Sequence, residues 1–371
     1  MSNNQSGLDF LVNKEDWAQH RFVDVAVPEL GPGQVLFRLD RFAFTANNIS
    51  YAFAGDLLGY WQFFPATDGW GRLPVMGFGE VVGSTHPDVA EGVRCFGFYP
   101  MSRHLVIEPG DVAAGHIMDA AAHRKGFSPF YNQYIPTHQD PIYQPEHEDI
   151  LMLLRGLFMT SFLADDFLGD NDYFGAEKVL ISSASSKTAI AFAYLVSQTG
   201  RVSAVGLTSA GNLEFVRNLG CYDQVLTYEE IPTLDGQRPA VYVDLAGSGT
   251  LLRAVHGHFG DRLGHSCAIG ATHWDADRNI DGLPGPAPTF FFAPEQARKR
   301  IADWGAPGFQ ERLGASWSSF RSFTEGWLEL RRGYGRAAVE RVYLETLRGS
   351  ARPEQGQLLS LWDSSAAATA A

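Results

Sequence analysis

Cysteine is scarce. The 371 residues hold three, Cys95, Cys221 and Cys267, widely spaced and with no CxxC pair. That excludes a disulfide framework and a cysteine-rich zinc site, and a reducing, cytoplasmic compartment is expected. Long apolar runs are missing too: none approaches the roughly 18 residues of a membrane span, and no apolar core follows the polar opening Met1–Asp9. Neither a membrane-spanning segment nor a secretory leader is expected. Basic clusters are short, the longest being Arg298-Lys299-Arg300, and 42 acidic against 29 basic residues leave a net charge of −13. A nucleic-acid backbone binder needs the opposite balance, so no nucleic-acid partner is expected. Present instead are 26 Phe, 13 Tyr and 8 Trp in a chain that is 45% hydrophobic, the composition of a compact globular protein with length for two or three domains.

Two textures divide the chain. From Val35 to about Gly110, short strand-like runs (Val35–Leu39, Glu80–Ser84, Leu105–Ile107) are punctuated by Gly and Pro, which reads as barrel-like β-structure. Residues 116–148 read as loop, and the apolar spacing of Ile150–Leu168 predicts a helix. From Glu177 to Gly270, strand-like and helix-like runs alternate: strands at Val179–Ile181, Val202–Val205, Gln224–Leu226, Ala240–Leu245 and Ser266–Ile269, helices at Thr188–Thr199, Gly211–Asn218 and 251–259. Such alternation predicts a doubly wound parallel sheet. Thr289–Phe292 reads as one more buried strand, Pro294–Asp303 as a helix, Phe320–Leu347 as a long amphipathic stretch and Gln357–Trp362 as a terminal strand. The small residues Asp363–Ala371 are expected to fray.

The segment Val179–Ala189 is a buried strand, a small-residue turn and a helix. That geometry aims backbone N–H groups and a helix N-terminus at one point, which suits a pyrophosphate. The turn carries Ser182, Ser183, Ala184, Ser185 and Ser186 where glycines are usual; serine hydroxyls and the Lys187 ammonium are candidate ligands, and a plain capping loop is the bland alternative. A P-loop reading of Ser186-Lys187-Thr188 fails, because that motif needs glycine where Ile181 and Ser186 stand. The second turn, Gly206 to Asn212, has no Asp or Glu to bind a ribose 2′-hydroxyl. Thr208, Ser209 and Asn212 therefore favour a 2′-phosphate, hence NADP(H) over NAD.

In order along the chain, Glu29–Leu39 resembles the "LGPGEVLVRV" opening of the medium-chain dehydrogenase/reductase superfamily, in its zinc-independent quinone oxidoreductase-like branch. Thr45–Tyr51 falls at that family's "NPVD" turn, Leu73–Gly83 is similar to "PxxxGxExxGxV", and Gly92–Phe98 to "GDRVFGF". Leu219–Asp223 is similar to "LGADxVI", Val243–Ser248 to "VDxxGG" and Cys267–Ala271 to "xxIGA". The insertions Phe63–Trp70 and His116–Glu148, with Leu154–Phe162 and Ser182–Thr188, most resemble the DUF2855 family. The resemblance implies an α/β fold: a GroES-like β-barrel domain over 1–152, completed by 305–371, and a Rossmann domain over 153–304 that binds NADP(H). It also implies Ala246, Gly247, Ile269 and Gly270 at the ribose–nicotinamide end, and a homodimer. The catalytic cysteine that the superfamily's zinc-dependent members carry in the segment matched by Phe44-Thr45, and their four-cysteine lobe, are lacking, so no catalytic zinc is expected. His256 and His258, two apart on a helix, read as solvated residues and not as metal ligands.

Without a metal, hydrogen-bond donors must polarise the acceptor of a hydride. Asn48 and Tyr51, in the turn that faces the nicotinamide in the resembled family, are the first candidates, followed by Tyr60 and then by Tyr131, Asn132 and Tyr134. Each also has a reading as a turn or packing residue. The run Tyr60–Phe64 either walls an apolar pocket or belongs to the core. The expected activity is NADPH-dependent reduction of a carbonyl, an α,β-unsaturated carbonyl or a quinone, with a small apolar molecule as substrate. The alternatives are a nucleotide-binding sensor without turnover and a lyase or hydrolase. The latter has little support, since Gly264–Ala268 is one glycine short of GxSxG and lies on a strand.

Overall fold

A computed structural model describes residues 6–113, 115–270 and 282–364. Ala271 and the tail 365–371, for which fraying was expected, lie outside these. The chain divides into a first unit, Met1–Leu153 with Glu329–Ala371, and a second, Leu154–Leu328.

In the first unit the antiparallel strands Val35–Phe44, Pro74–Ser84 and Arg94–Pro100 form the centre of one sheet. His104–Ile107 also pairs with Val35–Phe44. Most residues of these strands are buried, consecutive ones such as Val35, Leu36 and Phe37 or Phe42, Ala43 and Phe44 included, so both faces of the sheet centre are covered. The span 116–148 is more ordered than a loop: His116–Asp119 and Gln133–Pro136 pair with each other, and Ile135 pairs with Phe96. Their brevity and the flanking Gly and Pro hid them.

The second unit holds a parallel sheet in the order Gln224–Thr227, Ser203–Thr208, Lys178–Ile181, Ala240–Asp244, Leu263–Ala268, Thr289–Phe290. The chain runs outward one way from the central Lys178–Ile181 strand and then the other, the doubly wound order of a Rossmann domain. Val179, Leu180, Ile181, Val241, Tyr242 and Val243 are fully buried, because helices cover both faces of such a sheet.

Three expectations about the C-terminal third are corrected. The chain returns to the first unit at Glu329, not at 305. The helical run Ala293–Thr324, kinked at Gly305 beside Pro307, stays in the second unit, where Trp317 and Phe320 pack on Phe158 at 5.4 and 5.1 Å between ring centroids. The long amphipathic stretch Phe320–Leu347 is not continuous: strand Glu329–Tyr334 pairs parallel to Gln355–Ser360 before helix Gly335–Leu347 begins. Finally, Thr289–Phe290 is an edge strand with Phe290 62% and Phe292 44% exposed, not a buried one. Apolar composition alone cannot separate a central strand from an edge.

Candidate functional site

The serine turn forms as expected between strand Lys178–Ile181 and helix Lys187–Thr199. Ser186 caps that helix, its Oγ accepting from Ala189 N at 3.3 Å, which leaves the helix N-terminus and its partial positive charge at the turn. Ser183 takes a left-handed backbone, φ +50°, where a glycine would be unstrained. Its N–H donates to the Tyr228 hydroxyl, and burial pushes that phenol up to about 12. A second phenol, Tyr222, donates to the Ala184 carbonyl at 2.8 Å. Tyrosines thus brace a turn that lacks glycine.

Ser182 is corrected as a direct phosphate ligand. It is fully buried; its N–H donates to the Val243 carbonyl, its Oγ donates to Asp244 Oδ1 at 2.8 Å and accepts from Leu245 N and Ala246 N at 2.9 and 3.0 Å. Asp244 Oδ1 also takes the N–H groups of Ala246 and Gly247 and the Tyr242 hydroxyl, all within 3.1 Å. The Asp244 carbonyl takes Ile269 N and Gly270 N at 2.9 and 3.2 Å. A Cβ on Gly270 would stand 3.0 Å from the Leu245 carbonyl oxygen. So Ser182, Ala246, Gly247, Ile269 and Gly270 are brought together on one residue, Asp244, which the sequence reading did not single out. Its signal was the carboxylate in Val243-Asp244-Leu245-Ala246-Gly247.

The first two turns meet: Asn212 Nδ2 donates to Ser185 Oγ at 3.0 Å. Beside them Ser209 is exposed, and the buried Thr208 hydroxyl has no hydrogen-bond partner among the described residues. This rim of hydroxyls and amides carries no carboxylate and ends on a helix N-terminus with Lys187 at its first position. The arrangement fits a phosphorylated dinucleotide, whose phosphates want N–H, O–H and ammonium donors.

In the first unit, helix Ala46–Phe53 is capped by Thr45. Asn48 serves that cap: its Oδ1 accepts from Thr45 N at 2.7 Å, and its Nδ2 donates to the Pro74 carbonyl at 2.8 Å. Asn132 is equally committed, bonded both ways to the buried Arg124. Tyr134, fully buried, donates to the Phe98 carbonyl at 3.0 Å. These three are structural, which corrects their place among the catalytic candidates.

Tyr51, Tyr60 and Tyr131 do come together. The Tyr51 and Tyr60 rings are 4.5 Å apart, and the Tyr60 and Tyr131 hydroxyls 3.2 Å. Tyr51 Oη accepts from Asn47 Nδ2 at 2.8 Å. Burial raises the Tyr51 phenol well above its ordinary value, the neighbouring Tyr131 adds to this, and the Asn47 amide opposes it. Tyr60 and Tyr131 are also raised, by burial first. Phe63, Phe64 and Phe98 pack beneath the phenols. Trp61, Phe63 and Phe64 are core residues, so within Tyr60–Phe64 only Tyr60 lends a polar group to the cluster.

Among the described residues no three His, Cys, Asp or Glu side chains gather as a metal site. The expectation that His256 and His258 are both solvated is corrected: His256 is buried and His258 half-buried. His256 is fully buried between the Pro284 carbonyl at 2.8 Å and Ser266 Oγ at 2.9 Å, and His258 bonds to the Leu234 carbonyl at 2.8 Å. No helix of the described residues is long and apolar enough to cross a membrane.

The family described as "Protein of unknown function (DUF2855)" matches residues 42–352. No curated protein matches. Among solved structures, CurA from Vibrio vulnificus in complex with NADPH is similar at 10% identity and a TM-score of 0.61, covering 95% of this chain and 98% of that one. The quinone oxidoreductase from Coxiella burnetii is similar at 12% identity and 0.56, covering 95% and 99%. An Etr1p mutant in complex with NADP and crotonyl-CoA is similar at 10% identity and 0.55, covering 96% and 99%. At these identities the likeness carries the fold, a GroES-like domain joined to a Rossmann domain.

Proposed function

The chain belongs to the DUF2855 family, and we propose that it is a zinc-independent, NADP(H)-dependent reductase of a carbonyl, an α,β-unsaturated carbonyl or a quinone. One observation carries the reading: the Asn212–Ser185 bond joins two βα turns into a single carboxylate-free rim at a helix N-terminus. In it Ser183, Ser185, Ser186 and Lys187 hold the pyrophosphate, Thr208, Ser209 and Asn212 the adenosine phosphate, and Ala246, Gly247, Ile269 and Gly270 the ribose–nicotinamide end. When bound, the reduced nicotinamide supplies two electrons as a hydride. Tyr51 gives the proton to the acceptor, and Tyr60 and Tyr131 hold the phenol ring in place. The apolar bed of Phe63, Phe64 and Phe98 suits an apolar acceptor.

The companion expectations belong to the same reading: a cytoplasmic setting, which suits three buried free thiols, and a homodimer, which suits exposed phenylalanines beside an edge strand. Thermal unfolding with NADP, NADPH or NAD in excess tests the cofactor, since ligand at about 100 times its Kd adds about 2.7 kcal/mol. A rise with NADPH and none with NAD supports the reading; no rise with any of them sinks it. Turnover by Tyr51→Phe then decides the chemistry. Lost turnover with retained NADPH binding supports a reductase, while a wild-type chain that binds NADPH and reduces no acceptor favours a nucleotide sensor.

A further inference from the structure

We infer that Asn47 is a positioning residue: its side-chain amide, one helical turn before Tyr51, fixes the phenol's oxygen as an acceptor so that the phenol's own proton is the one offered to the substrate. The inference rests on the reading of Tyr51 as proton donor. Asn47 and Tyr51 stand four apart on helix Ala46–Phe53, hence on one face, with Nδ2 and Oη 2.8 Å apart. An amide N–H only donates. The phenol oxygen therefore accepts, and its single hydrogen is turned away from Asn47.

The neighbours leave this arrangement in place. Tyr60, whose ring lies against Tyr51, has its hydroxyl bonded to Tyr131; of the two phenols, Tyr131 raises Tyr51, and Tyr51 in turn raises Tyr60. Phe98 meets it edge-on at 5.6 Å. In the step itself the Tyr51 Oη–H bond breaks and a new bond forms between that proton and the substrate, whose electrons come from the reduced nicotinamide. The phenolate keeps the pair and water reprotonates it. A phenolate in an apolar bed needs a donor, and the Asn47 amide is already in position.

Two variants separate positioning from support. Asn47→Leu keeps the helix and removes the donor; Asn47→Asp keeps the size and puts an acceptor there, which would draw the Tyr51 proton toward itself. With NADPH and either menadione or cinnamaldehyde as probe, Asn47→Leu is expected to lower kcat by about 10- to 100-fold with KM little changed, as for loss of a hydrogen bond to a charged group. Asn47→Asp should lose more, and Asn47→Leu should cost nothing further in a Tyr51→Phe background. Independently of turnover, tetrafluorotyrosine at position 51, followed by fluorine NMR, should titrate at higher pH in Asn47→Leu and higher still in Asn47→Asp. An equal loss in the Tyr51→Phe background, or an unmoved titration, overturns the role of Asn47. If the wild-type chain reduces neither probe, the proposed activity fails, while the fluorine titration still decides whether the amide holds the phenol.

Discussion

The Ser182 hydroxyl lies 2.8 Å from Asp244 Oδ1 and joins the ends of the two central strands of the parallel sheet. One oxygen donates to the carboxylate and accepts two backbone N–H groups from the turn that follows Asp244. Serine here acts as a buried clasp between turns that together line the candidate nucleotide site.

Ser182→Ala should therefore cost stability before it costs chemistry. Ala246 N keeps Asp244 Oδ1 as a partner, whereas Leu245 N loses its bond to the serine hydroxyl. Losing the hydrogen bonds of a buried hydroxyl, its donation to Asp244 among them, costs about 1–3 kcal/mol. Urea unfolding of the full chain should show a lowered midpoint with an unchanged slope. A wild-type midpoint would mean that the clasp carries no load.

The second turn makes an electrostatic claim. Ser209 is exposed and precedes the short helical turn Ala210–Asn212, a position where aspartate is well tolerated. Ser209→Asp puts a carboxylate where the 2′-phosphate is proposed to sit. The NADPH to NADH affinity ratio, from titration of each nucleotide, should fall by at least about tenfold, a change of about 1.4 kcal/mol. An unchanged ratio removes Ser209 from the site.

How legible this was follows from what each residue advertises. The strand–turn–helix rhythm of 177–270 is spelled out by apolar runs at fixed intervals, because a parallel sheet buried on both faces has no other composition open to it. The serine turn was legible for the same reason. Which groups were already spent was not. Asn48, Asn132 and Tyr134 look like donors in a string of letters, and their partners, the Pro74 carbonyl, Arg124 and the Phe98 carbonyl, come from strands and turns far away in sequence or not marked by any pattern. Asn47 was overlooked beside Asn48, although its spacing of four from Tyr51 is a helical signal that could be read directly.

A carboxylate away from the candidate site residues gives a pH test. Asp165 accepts from the Tyr173 hydroxyl at 2.8 Å; burial raises it from the ordinary 3.8 to about 6, the Tyr173 bond and Arg201 oppose the rise and Asp166 adds to it. A raised carboxylate binds its proton more tightly in the folded chain. Its favourable contribution is full below about pH 3.8, shrinks as pH rises, and is gone above about 6, a loss of up to about 3 kcal/mol. Asp165→Asn keeps an acceptor for Tyr173 without the charge. The variant should gain stability over the wild type between pH 4 and 7, measured by urea midpoints. A constant difference across that range would show that Asp165 is not raised.

Tyr134→Phe separates packing phenols from a working one. Tyr134 stacks on Phe37 at 5.1 Å and its hydroxyl closes on the Phe98 carbonyl, so the substitution keeps the ring and deletes a donor to a buried acceptor. It should destabilise the chain by about 1–2 kcal/mol and leave kcat and NADPH affinity at wild-type values. Tyr51→Phe also removes only an oxygen, but one whose proton is turned away from its Asn47 partner. It should abolish turnover with little loss of stability, since the Asn47 amide is half-buried and can turn to water. The two variants thus make opposite predictions from the same chemical edit, and a Tyr134→Phe chain that loses turnover while keeping its unfolding midpoint would move the proton donor from Tyr51 to Tyr134.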